Sequence, residues 1–163
     1  MKSKRKKALE QRREEILITM PSFINQLLLM MNSGMVMQEA FRRIAEGYGK
    51  MEKKRQNYFT TEVWRIYETS LHSGESVITL FYRFSRTSNV KELTRVANIM
   101  MENQSKGTDL WYQLAEEGER LWQERKRMAL EQIRIAESKM SFPLGLLLMS
   151  LLFVTAAPAL MQM

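Results

Sequence analysis

Apolar residues return at steps of three and four along most of this chain, the period of helices that each lay one face on a core. Ile16, Leu17, Met20, Phe23, Ile24, Leu27, Leu28 and Met31 form the first such face, which stops at Ser33 and Gly34. Pro21 falls inside it, so this helix is expected either to begin there, capped by Thr19 or Met20, or to bend. Met37, Ala40, Phe41, Ile44 and Ala45 make a second helix that ends near Gly47, Tyr48 and Gly49. The polar residues 50–56 read as a linker or a frayed helix end. A third helix carries Val63, Trp64, Tyr67 and Leu71, a fourth Val77, Leu80, Phe81 and Phe84, and a fifth Val90, Leu93, Ala97 and Met100. The last is the longest, with a stripe of Trp111, Leu114, Ala115, Gly118, Leu121, Trp122, Met128, Ile133 and Ala136.

One turn pattern repeats. Gly34 and Gly74 follow a serine and Gly107 a lysine; Met37, Val77 and Leu110 stand three residues on, and Phe41, Phe81 and Leu114 seven. A glycine at a helix end takes the left-handed cap at little steric cost, and the next helix then starts with the same face inward. The predicted fold is all-α: an antiparallel bundle of about six helices, built from repeated helix-glycine-helix hairpins and followed by a C-terminal transmembrane helix.

That last element rests on residues 140–163. No charged side chain follows Lys139, and residues 142–160 are mostly Leu with Phe, Val, Ala and Met, near the roughly 20 residues that cross a bilayer. Their Leu, Phe and Val side chains favour insertion by about 3 to 6 kcal/mol, reduced by Pro143, Ser150, Pro158 and Gln162. A helix apolar on every side needs protein all round it, which a chain of this size hardly provides. Pro143 is the expected bend. Arg125, Lys126, Arg127, Arg134 and Lys139 precede the span, and the positive-inside rule puts them in the cytoplasm. The expected organisation is a basic N-terminal segment at 1–15, a cytoplasmic bundle at 16–139 and the span at 140–163.

Composition narrows the chemistry. The chain has 163 residues, 45% hydrophobic and 26% charged, which gives room for one core and is neither disordered nor polytopic in balance. It holds no cysteine, which excludes disulfides and thiolate chemistry. The one histidine, His72, has no partner at ligand spacing and reads as a surface or capping residue. Glu14 with Glu15, and Glu116 with Glu117, are sequence neighbours that point apart on a helix, so they are expected in solvent. No catalytic set, metal site or cofactor is expected. The net charge of +7 suits a polyanion, but acids are intermixed with the bases, which argues against nucleic acid. Trp64, Trp111 and Trp122 lie on apolar stripes and read as core.

In order along the chain, these features resemble the type II secretion system protein F domain family, and within it the tight-adherence (TadC-like) pilus assembly proteins. The residues are Arg12-Arg13, Met20-Pro21, an apolar helix closed by Ser33-Gly34, and Ala40-Phe41; then Glu62, Ile66, Ser73-Gly74 and Leu80-Phe81. A basic helix over residues 119–139 follows, leading to Phe142-Pro143 and a second proline, Pro158. The resemblance implies a non-enzymatic platform subunit in a bacterial plasma membrane, its bundle facing the cytoplasm. The partners it implies are a secretion or pilus ATPase, a second platform protein or further copies of itself, prepilin and membrane lipid. Gly34, Gly74, Gly107, Pro21 and Pro143 are the expected structural turns. Arg42, Arg43, Lys53, Lys54, Arg55 and Arg86 are candidate docking groups for the ATPase. The alternative is a tail-anchored helical adaptor that binds an unrelated cytosolic partner.

Overall fold

Six α-helices account for the described residues of the computed structural model: α1 (Lys2–Asn32), α2 (Met37–Gly49), α3 (Tyr58–Ser73), α4 (Val77–Ser88), α5 (Lys91–Glu102) and α6 (Gly107–Met161). Backbone is described for residues 2–102 and 107–161, and side chains for 4–102, 109–134 and 143–158. The chain divides within α6 into two units, Met1–Gln123 and Glu124–Met163.

The first unit is the bundle that the periodicity predicts. Ser33 closes α1 through its amide and hydroxyl, and Gly34 turns the chain at a φ of 91°. Gly74 caps α3 at a φ of 73°, its amide donating to the Ser70 carbonyl. Both glycines therefore act as expected, since a side chain at these angles is strained. The third expected glycine turn, before Gly107, lies outside the described residues. A further left-handed cap falls at Asn89, with φ 60°, between α4 and α5. Asparagine tolerates that conformation through its short polar side chain.

α1 departs from expectation at its start. It neither begins at nor stops before Pro21, but runs from Lys2 through the proline. One missing backbone donor is a local loss, and the helix on either side is held by the burial of Ile16, Met20, Phe23, Ile24 and Leu27.

The core centres on four phenylalanines, one from each of the first four helices: Phe23, Phe41, Phe59 and Phe81, all fully buried. Phe23 meets Phe41 at 5.6 Å edge to face, Phe59 at 5.4 Å and Phe81 at 5.6 Å, and Phe41 meets Phe81 at 5.4 Å. The last contact gives the glycine repeat its meaning. Phe41 and Phe81 each stand seven residues after a turn glycine, and the equivalent positions of two successive hairpins touch at the centre. Leu93, Val96, Ala97 and Met100 of α5 and Leu110, Leu114 and Leu121 of α6 enclose the remainder.

The long stripe expected on the last helix is buried only in its first part. Trp122 is 52% exposed, Met128 41% and Ile133 55%. Leu71, expected inward on α3, is also exposed.

In the second unit α6 continues helical with Pro143 and Pro158 inside it. Among the described residues no helix is long and apolar enough to cross a membrane. The transmembrane helix expected at 140–163 is thus not matched there: side chains are described only for 143–158, short of the roughly 20 residues a crossing needs, and the others lie outside the described residues. Those that are described are apolar and exposed, with Leu147 at 69% and Phe153 at 72%.

Candidate functional site

The start of α3, at one end of the first unit, is fixed by polar side chains. Asn57 accepts from the Thr60 amide while the Thr60 hydroxyl accepts from the Asn57 amide, a reciprocal cap on α3. Asn57 also donates to the Thr19 hydroxyl of α1 at 2.7 Å, and Glu15 accepts from the Tyr58 amide at 2.6 Å. The Arg12 guanidinium lies 4.9 Å over the Tyr58 ring. Glu15 is therefore a cap for a neighbouring helix and not the solvated acid the sequence suggested. Residues 50–56, expected to be loose, are a closed turn: the Arg55 amide donates to Glu52, and the Gln56 amide side chain donates to the Met51 carbonyl at 3.0 Å.

This end gathers most of the candidate docking cations. Lys53, Lys54 and Arg55 are exposed on the α2–α3 turn. Arg86, in the last turn of α4, belongs to the same end, because Phe84 packs on Tyr58 at 6.2 Å. None of these four is in an ion pair among the described residues. Arg42 and Arg43 stand apart, about two turns back along α2, and both pair with Glu39 at 3.4 and 3.6 Å. Arg42 also lies 5.8 Å from the Tyr67 ring centre. The Tyr67 hydroxyl donates to Glu46 at 2.8 Å, and that bond, aided by burial, raises its pKa.

On another side, α1 and α6 enclose a groove of about 450 Å³ walled by Pro21, Ile24, Leu28, Trp111, Gly118 and Trp122. Gly118 permits the close approach, since a Cβ there would stand 3.0 Å from Ile24. The Trp111 indole N–H is buried without an acceptor among the described residues. Beside the groove, Glu117 corrects a second expectation. It is buried and accepts from Arg95 of α5 at 2.9 Å, with Arg120 at 3.7 Å, while Glu116 is exposed. His72 is exposed, its Nδ1 2.7 Å from the Glu68 carbonyl.

Among the described residues this arrangement presents charged and apolar surfaces on a helical bundle. A family model described as type II secretion system (T2SS), protein F, matches residues 23–158. The chain belongs to this family. Comparison with curated proteins found no match, nor did comparison with solved structures. The matched range takes in the four-phenylalanine core, both described glycine turns and most of the apolar C-terminal run. The match makes this chain a member of a family of secretion and pilus-assembly platform proteins.

Proposed function

We propose that this chain is a non-enzymatic platform subunit of a tight-adherence pilus or type II secretion machine, whose bundle couples a cytoplasmic secretion ATPase to pilin assembly. The family match over residues 23–158 carries this reading. ATP hydrolysis in the separate ATPase would turn or push the bundle, and α6 would pass the movement on to prepilin in the membrane. The cations of the α2–α3 turn and Arg86 are the proposed docking groups, with Arg42 and Arg43 as a second patch.

The C-terminal run holds the chain in the membrane in this account. Two of its hydroxyl side chains support that role: Ser150 donates to the Leu147 carbonyl at 3.0 Å and Thr155 to the Leu151 carbonyl at 3.0 Å. Both polar groups are satisfied within the helix, as hydrocarbon surroundings demand. A second platform protein or further copies of this chain would complete the platform.

Affinity capture from detergent-solubilised membranes tests the reading. A secretion ATPase and a second platform protein should be recovered with the full chain. Recovery of neither, with an unrelated soluble partner in their place, would favour the adaptor.

A further inference from the structure

The core-facing side of α1 runs on past the end of the core. At about 100° per residue, Arg5, Lys6, Leu9, Arg12 and Arg13 fall in the same third of the helix circumference as Ile16, Met20, Phe23 and Leu27, which are buried. Arg12 and Glu15 meet Tyr58, the first residue of α3, so the turns before Arg12 overhang that helix start with this side still toward the bundle. Residues 4–14 are exposed, Leu9 at 63%. Overhang and bundle end thus form a corner: α1 is one wall, and the end that carries Lys53, Lys54, Arg55 and Arg86 is the other. None of these cations is in an ion pair among the described residues, and of those on α1 only Arg12 lies on a ring.

We propose that this corner receives one acidic amphipathic helix of a protein partner, its carboxylates among the cations and an apolar side chain on Leu9. The inference rests on the reading of this end as a docking surface and names the kind of element that lies there. Size and charge select the occupant. At about 1.5 Å per residue, the overhang from Arg5 to Arg12 is about 10 Å long, the width of a single helix. A flat bilayer surface cannot enter a corner closed on one side by the bundle. A second copy of this chain, with its net charge of +7, is repelled from it. Leu9, at the middle of the basic sector, suits a helix with one apolar stripe and gives a nucleic acid nothing to stack on. The first turn of α1 holds no acid, so its cations oppose the helix dipole, and carboxylates from a partner relieve that repulsion.

The probe is a fluorescein-labelled synthetic helix with leucine along one stripe and glutamate elsewhere. It would be titrated into the full chain in nonionic detergent at about 0.15 M salt, where screening largely confines each charge to its own side of α1. Saturable binding is expected. R5E/K6E should weaken it at least about fivefold, whereas K4E/K7E, the same change of charge on the opposite side of α1, should alter it less than about twofold. Leu9→Ser should weaken binding of this peptide but not of one with alanine in place of leucine. All these positions are exposed, so circular dichroism of the variants should match that of the parent. Equal losses in the two charge variants would overturn the proposal, as would indifference to Leu9→Ser. So would a single-stranded oligonucleotide that binds more tightly than the peptide with the same dependence on residues 5, 6 and 9. The peptide assay contains no ATPase, which keeps the two readings separable. Absence of peptide binding with ATPase binding intact strikes the corner alone, and peptide held in the corner without ATPase binding supports the corner and strikes the ATPase as its partner.

Discussion

Truncating Phe23 to Ala would remove a ring that three other rings touch at once. With every neighbour fully buried and unable to collapse inward, the expected loss is about 3–5 kcal/mol, read by chemical denaturation. Tyr48 behaves differently, because its buried hydroxyl has no hydrogen bond of good geometry among the described residues. Burial pushes its pKa up to about 12, with the Gln26 side chain pulling weakly the other way. The folded state thus holds the phenol proton more tightly than the unfolded state, whose value is 10.0. Stability is complete below about pH 10 and falls by about 2–3 kcal/mol as pH rises to about 12. Tyr48→Phe should flatten that limb while leaving neutral-pH stability equal or slightly higher, since no bond is lost. At this scale the sequence was legible where a residue repeats a period, as Phe41 and Phe81 do. It was silent where the role lies in a neighbouring element. Phe59 precedes the stripe that marks its helix, and Glu15 and Glu117 look solvated until the helices they cap or bridge are in place.

Between elements, the Arg95 to Glu117 bridge joins α5 to α6, and its two ends are unequal. The Glu117 side chain is 8% exposed and that of Arg95 39%. Arg95→Ala strands a buried carboxylate with only Arg120 at 3.7 Å, whereas Glu117→Leu leaves a guanidinium that can return to water. The first should cost more than the second by about 1–2 kcal/mol in equilibrium unfolding. Equal losses would mean that the bridge contributes little beyond packing. The helices themselves were legible, because six amphipathic periods and glycine stops leave few other solutions. Their ends were less so: α1 continues N-terminally past Pro21 because flanking burial outweighs one lost donor, and the corner at Asn89 lacks the glycine that signalled the others.

For the whole molecule, the charge pattern separates two candidate surfaces that composition alone merges into a net +7. Sequence reading named Lys53, Lys54, Arg55 and Arg86 as scattered candidates; only the antiparallel path of α3 and α4 brings them to one end. Arg42 and Arg43 lie elsewhere and are already paired with Glu39. If the unpaired cluster docks the ATPase, K53E/K54E/R55E/R86E should weaken binding at least about tenfold, while R42E/R43E, which must first give up its own ion pairs, should change it less. The most direct measurement is therefore the affinity of the bilayer-embedded full chain for the purified secretion ATPase, in the original and four-residue reversed forms. The platform account predicts saturable binding by the first and a loss of about tenfold or more in the second. The absence of measurable binding by the unaltered chain would contradict it.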